Sequence, residues 1–337
     1  MIKNTSPILS ALRLAANSEK LAVEFMENQR WGDAPACPRC GSVAVYQMKG
    51  ENGERNADYR WRCRDCAKAN TKAMFTVRTG TIFEESRLPM RVWVYAFWKA
   101  CSSKKGISAL QLSREMEITH KSALFVLRRI RHGLGYDEQA EGKKLLVGTV
   151  EVDETYVGGK NRRGGKGSGA DNKAPVVAMV QRGGDVRFRM MKRVTSDNLG
   201  RVIAANASIT ARLITDEHAG YVNVGREFKG GHFTVKHKAY EYVVPGTDIT
   251  TNTVEGVFSL LKRGVMGTFH SVSHKHLPNY LNEFEFRHNT RKMDDGKRVA
   301  AAIRKVEGKR LQYRESVDNP PYLAEAMGQL DAPLEPE

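Results

Sequence analysis

"VEVDETYVGG", residues 150–159, is the stretch on which the fold turns. Val150, Val152, Thr155 and Tyr156 are strand-forming residues, and Gly158-Gly159 ends the run. Yet three carboxylates, Glu151, Asp153 and Glu154, stand inside it. Alternate side chains of a strand share a face, so Glu151, Asp153 and Thr155 lie on one side and Val152, Glu154 and Tyr156 on the other. A bare carboxylate at mid-strand is unfavourable to bury without a counter-charge. A divalent cation is the obvious one, and Asp153 is the acid placed to meet it. One acid does not hold a catalytic ion, so partners must come from elsewhere. Glu151, Glu154 and Glu217 read as solvated neighbours.

Working outward, "APVVAMVQR" (174–182) and "DVRFRMMKRV" (185–194) form a hairpin about Gly183-Gly184. With the acidic strand they make three consecutive antiparallel strands. "TSDNLGRVIAANA" (195–207) opens as a helix capped by Thr195 or Ser196. "ARLITDEHAGYV" (211–222) is a short buried strand ending in Asp216, then a turn of helix. A carboxylate just past an apolar strand sits at the C-terminal edge of a sheet, where α/β sites form. "HFTVKH" (232–237) is a further strand, and "TNTVEGVFSLLKRGVMG" (251–267) a helix with Val254, Phe258, Leu261 and Val265 as its apolar stripe. Glu255 and Lys262 are seven residues apart and so share one side of it. The order β-β-β-α-β-α-β-α, with acids on the first strand, after the fourth and on a late helix, is a ribonuclease H-like layout: a mixed five-stranded sheet with flanking helices. Three carboxylates from separate elements suit two Mg²⁺ (or Mn²⁺) ions and in-line displacement at phosphorus.

The cysteines speak for a second module. Cys37 and Cys40 in "CPRCG" and Cys63 and Cys66 in "WRCRDC" form two CxxC knuckles, while the fifth, Cys101, stands alone on a helix. Four thiolates close a tetrahedral Zn²⁺ site with no open position, so this zinc is structural and not catalytic. Between 106 and 135, two short helices flank the turn "EIT", with Ser108 and Thr119 as caps. Leu110, Leu112, Met116, Ala123, Leu124, Leu127 and Ile130 face inward in this reading. His120, Lys121, Ser122, Arg128, Arg129 and Arg131 are left outside, as in a helix-turn-helix whose second helix meets DNA.

The formal charge of the 337-residue chain is +16, which favours polyanionic partners, nucleic acid first. No stretch approaches the ~20 apolar residues of a membrane span. The N-terminus is a poor signal peptide, because Arg13 interrupts its apolar run, so a cytoplasmic protein is expected. The fold class is α+β multidomain: a helical leader (1–36), a zinc ribbon (37–80), a helix-turn-helix region (85–140), a ribonuclease H-like catalytic domain (145–292), and a basic helical tail with a loose C-terminus (293–337). The loop "GGKNRRGGKGSG" (158–169) is weak as a phosphate loop, because it links two strands and does not open a helix, but its Lys160, Arg162 and Arg163 suit a DNA backbone. His218, His232 and His237 read as hydrogen-bonded structural residues near Asp216. Glu283 and Arg287 read as an outward i, i+4 pair.

"VEVDETYVGGK", "LITDEHAGY", "TNTVEGVFSLLKRGVMGTFHSVSHKHLPNYLNEFEFRHNTR" and the leading "CPRCG…WRCRDC" together resemble the DDE transposases of bacterial insertion sequences. The nearest group is the one with an N-terminal zinc ribbon and an ISXO-like catalytic domain. The resemblance covers about residues 20 to 315. It implies Asp153 and Asp216 as the first two metal-binding acids, and Glu255 as the third, with Asn252 one turn before it as the alternative. It also implies Lys262, and with it Arg263, as contacts to DNA. The implied activity is cutting of element ends followed by joining of the 3′-hydroxyl to target DNA. The implied partners are double-stranded DNA (terminal inverted repeats and target) and further copies of the chain, as a dimer or larger assembly. A catalytically silent DNA-binding regulator derived from a transposase is the alternative.

Overall fold

The computed structural model describes residues 6–158, 173–236 and 246–311. Lys160, Arg162, Arg163 and His237 lie outside the described residues. Two compact units emerge. One takes the chain up to Leu134 and resumes at Lys292; the other runs from Gly135 to Arg291.

In the first unit, α1 (Pro7–Ala15) and α2 (Glu19–Trp31) pack together, and the Ser18 hydroxyl caps α2 by accepting from the Leu21 N–H. The cysteine-bearing segment is a three-stranded antiparallel sheet of β1 (Val45–Gln47), β2 (Trp61–Cys63) and β3 (Met74–Phe75), with α3 (Arg64–Lys68) behind the second knuckle. Glu27 of α2 is buried and accepts from Trp61 Nε1 at 2.7 Å and Arg55 Nη1 at 2.8 Å. Those donors offset the desolvation of its carboxylate. Trp31, Trp61 and Phe75 then pack edge-to-face and stacked beside the cysteines. The end of the helical leader and the ribbon therefore share one small core.

The helices α4 (Met90–Ser102), α5 (Ala109–Met116) and α6 (His120–Gly133) complete the forward run of this unit. Cys101 is fully buried on α4.

In the second unit, a short α7 (Glu138–Glu141) precedes β4 (Thr149–Val157), β5 (Ala174–Gln181) and β6 (Val186–Met190). Then come α8 (Ser196–Asn206), β7 (Arg212–Asp216), α9 (Tyr221–Glu227), β8 (His232–Val235), α10 (Asn252–Gly264) and α11 (Leu277–Asn289). The five strands lie in the order β6-β5-β4-β7-β8; β6, β5 and β4 are antiparallel neighbours, and β7 and β8 run parallel to β4. This is the mixed sheet that the sequence predicts. Each face has its own core. Val150, Val152, Val177 and Leu213 pack with α8 and α9. Val176, Ala178, Val180 and Phe188 pack with Val254, Phe258 and Leu261 of α10 and Phe284 of α11.

The Glu283–Arg287 pair departs from expectation: both residues are buried, with Arg287 over the Phe284 ring. The other side of α11, about 200° round from Glu283, is buried too, and there stands Glu285. It accepts from the Phe188 N–H at 3.0 Å and pairs with Arg187 at 3.3 Å, which ties the helix to β6.

The segment read as a basic tail supplies α12 (Asp295–Arg304), which returns to the first unit and packs on α4, α1 and α2. Val299, Ala300, Ala302, Ile303 and Val306 are buried there. Burial of Val299 and Ile303 alone contributes roughly 3–6 kcal/mol. A chain ending at residue 291 is therefore expected to lose the first unit's cooperative melt and to be cut by protease within 6–134. A chain ending at 311 should resist.

Candidate active site and metal centre

The four ribbon cysteines close on one point, their sulfurs lying within 4.8 Å of one another. A tetrahedral Zn²⁺ with bonds of about 2.3 Å requires sulfur separations of about 3.8 Å. The observed ones are 3.8 Å for Cys37–Cys66, 3.7 Å for Cys40–Cys63 and 3.4 Å for Cys40–Cys66. The backbone prepares one thiolate: the Cys66 N–H donates to Cys63 Sγ and, as the largest cause, draws that thiol down to about 7, while Cys40 and Cys66, crowded by the other sulfurs, are pushed up. Gly41, at φ 74°, makes the left-handed turn after the first knuckle. The donor set and its spacing fit structural zinc.

The acids assemble on the second unit's sheet. β4 and β7 are paired in parallel with Thr149 opposite Arg212, Val150 opposite Leu213 and Glu151 opposite Ile214. Continued by two residues, that register sets Asp153 beside Asp216. Adjacent strands are about 4.8 Å apart, and residues in register on parallel strands point to the same face. That face is the one covered by α10. Burial, the largest cause, pushes the Asp153 carboxyl up to about 7, and the negative charges of Glu154, Asp216 and Glu255 act in the same direction. Asp216 Oδ1 accepts from the His218 N–H at 3.0 Å, and Glu255 Oε1 accepts from the Thr251 hydroxyl at 3.0 Å. Asp153, Asp216 and Glu255 are half-buried, whereas Asn252, Lys262 and Arg263 are exposed on α10. Asp216, at a strand end, and Glu255, on a helix, are thus near enough to Asp153 for their charges to bear on it. They are hard oxygen donors of the kind that suit Mg²⁺ or Mn²⁺. Among the described residues, the four cysteines are the one group of potential ligands already closed to contact distance.

Two neighbouring acids are not the solvated residues that the strand pattern suggests. Glu151 is fully buried and caps a helix. Glu154, on the opposite face, accepts from the hydroxyl of the buried Tyr221 of α9, and burial raises its pKa. Glu217 is exposed as expected. His232 is tied to the Thr215 hydroxyl at 2.9 Å, and His218 Nδ1 accepts from the Gly220 N–H at 3.1 Å; both serve the loop around Asp216. Sequence reasoning missed Tyr221 and Arg182 altogether. The only signal for Arg182 was a lone arginine at the end of an apolar strand.

The two helices and their caps lie where the sequence predicts them in the first unit. Ser108 and Thr119 each accept at 3.1 Å from the N–H three residues on, and Glu117 turns the chain at φ 53°. His120 and Lys121 are exposed and Ser122 and Arg128 half-buried. Arg129 and Arg131 are not available to a phosphate, being 7% and 2% exposed. Arg129 donates to the carbonyls of Ile82, Glu84 and Leu311 and stacks on Phe125. It therefore holds the segment after α12 in place. Leu110, assigned inward, is 56% exposed.

Comparison with known families settles the kinship. The profile of the ISXO2-like transposase domain matches residues 145–289, and that of the transposase zinc-ribbon domain matches residues 17–69. The chain thus carries a transposase zinc ribbon followed by an ISXO2-like transposase domain. The first profile spans β4 to α11, hence all the acids above, and the second spans α2 and both knuckles. A curated relative from Halobacterium salinarum, "Uncharacterized protein in transposable element ISH50", is 28% identical over 285 residues, which is 80% of this chain and 90% of the relative. Among solved structures, the Mos1 strand transfer complex overlaps 68% of this chain and 75% of its own at 11% identity and a TM-score of 0.29. A Mos1 transposase paired-end complex overlaps 61% and 75% at 13% identity and a TM-score of 0.27. Among the described residues, no helix is long and apolar enough to cross a membrane.

Proposed function

We propose that this transposase cuts the ends of its own insertion sequence and joins the freed 3′-hydroxyl to target DNA, with both steps in a ribonuclease H-like site. The observation that supports the reading is the parallel β4–β7 register, which, continued two residues past Glu151 and Ile214, brings Asp153 level with Asp216 on the face that α10 covers. Asp153 and Asp216 would hold the divalent cations that DNA chemistry at this site needs. Glu255 completes the set, and its half-buried place near Asp153 favours it over the exposed Asn252. When bound, such ions activate the attacking oxygen and stabilise the leaving one in an in-line displacement. Lys262, two turns along α10, meets the DNA backbone with Arg263. The α5–α6 pair reads the terminal repeat through His120, Lys121, Ser122 and Arg128. Lys160, Arg162 and Arg163 follow the flanking backbone. Two ends must be brought together, so the chain acts as a dimer or larger assembly on double-stranded DNA.

The test is a cleavage and strand-transfer assay on element-end DNA with Mg²⁺. Metal-dependent nicking at the end and joined products support the reading. Binding without either reaction points instead to a silent regulator.

The electrostatics give a second expectation. Asp153 is raised from its ordinary value of 3.8 to about 7. Its contribution to stability is therefore fully present below the unfolded value and lost as pH rises through about 7. A cation bound to the ionised form offsets that loss. Calorimetry should show Mg²⁺ raising the melting temperature by several degrees at pH 8 and hardly at pH 5, a difference that Asp153→Asn removes.

A further inference from the structure

We infer that Glu151 and Arg182 are positioning residues that set the third acid of the site by clamping the N-terminus of α10 to the sheet. This inference rests on the proposed cleavage activity and goes beyond its ligands.

The first turn of a helix presents N–H groups without intrahelical partners, which a side chain at the N-cap ordinarily satisfies. At α10 the N-cap is Thr251, whose side chain makes no capping bond and donates to Glu255 instead. Glu151, reaching across from β4, supplies the missing acceptor. Its Oε2 accepts from the Thr253 N–H at 2.8 Å and the Val254 N–H at 3.0 Å, and its Oε1 accepts from the Thr253 hydroxyl at 2.8 Å. A carboxylate at this point also meets the positive end of the helix dipole. Glu151 is 0% exposed, and a buried carboxylate requires such company.

Arg182 closes the clamp. Its Nε donates to Glu151 Oε1 at 2.8 Å, its Nη2 to the Thr250 carbonyl at 3.1 Å and its Nη1 to the Asp248 carbonyl at 2.9 Å. Asp248 is held in turn by Arg212 of β7 at 2.7 Å. The segment that leads into α10 is thereby fixed to β4, β5 and β7 together. Glu151 stands two residues before Asp153 on the same face of the same strand. One strand therefore carries both an acid of the site and the anchor of the helix that brings Glu255 to it. A shift of about 1 Å in that helix is enough to displace a ligand from a site that works by positioning.

The test uses the full chain and element-end DNA, with Mg²⁺ titrated into the cleavage assay. Glu151→Gln keeps the shape and one acceptor oxygen, enough for the Thr253 and Val254 N–H groups, but puts an uncharged NH2 donor toward Arg182; Glu151→Ala loses every acceptor; Arg182→Gln removes the brace from a partly exposed position. Glu151→Ala is expected to lower the maximal cleavage rate at least 100-fold. Glu151→Gln should recover most of that loss. Glu151→Gln and Arg182→Gln should each raise the Mg²⁺ concentration for half-maximal rate at least threefold. Affinity for end DNA should stay within twofold in every variant that melts cooperatively. A merely structural role lowers the amount of folded protein without moving the Mg²⁺ midpoint. Wild-type midpoints in folded Glu151→Gln and Arg182→Gln would overturn the clamp, even if Glu151→Ala fails to fold. If the wild-type chain does not cleave, or Asp153→Asn cleaves normally, the reading of the site falls instead.

Discussion

Asp153→Asn is expected to reduce end cleavage by about three orders of magnitude or more, with binding to end DNA retained. Charge stabilisation by a bound ion supplies several kcal/mol to a phosphoryl-transfer transition state, and each 1.36 kcal/mol is tenfold in rate. The substitution keeps the shape of the side chain but removes the anionic oxygen that an ion needs. It also removes a carboxyl that burial and three neighbouring acids hold at about 7, so the metal-free protein should become more stable at pH 8, not less. That pairing separates a ligand from a structural acid: lower rate and higher melting temperature. Asp216→Asn should match it in rate. Glu255→Gln is expected to do so as well, whereas Asn252→Ala should be mild, because Asn252 is exposed and Glu255 is not. The reverse ranking would make Asn252 the third residue.

Removal of the ribbon zinc should have the second largest effect, this time on folding. Structural Zn²⁺ binds small cysteine domains with apparent energies of about 10–16 kcal/mol, and that energy is folding energy. The ribbon has only short strands and a small aromatic cluster around its sulfurs, too little to stand alone. Cys63→Ser, or a strong chelator, should release one zinc per chain and unfold the segment from Cys37 to Phe75. Trp31 and Trp61, packed beside the sulfurs, should report this as a fluorescence change. Binding to element ends should fall with it if the ribbon touches DNA. The acid site, on the other unit, should keep its Mg²⁺-dependent stabilisation. A ribbon that stays folded without metal would make the cysteines a core cluster and not a metal centre.

The strands and acids were legible in the sequence because they follow local rules. Asp153 and Asp216 each sit in or at the end of an apolar run, and parallel pairing of those runs is all that is needed to bring them level. Ser18, Ser108 and Thr119 cap the helices that their spacing assigns. What was not legible depends on what another part of the chain brings opposite. The face of Glu151 is readable from alternation, but not that a helix start a hundred residues on would need its carboxylate. Arg129 and Arg131 look like a basic outer face until Phe125, the carbonyls near 82–84 and Leu311 are seen around Arg129. Glu283 and Arg287 have the spacing of a surface pair, yet α11 is buried on both sides: Glu285, about 200° round from them, is tied to β6, and they are buried opposite it.

The central claim is that Asp153, Asp216 and a residue of α10 form one cation site. Anomalous diffraction from crystals of the full chain grown with Mn²⁺ and element-end DNA tests it most directly. Manganese is expected within bonding distance of both Asp153 and Asp216, with Glu255 or Asn252 completing the shell and a DNA phosphate alongside. Manganese bound elsewhere, with those two aspartates free of metal while the DNA end occupies the protein, would contradict it.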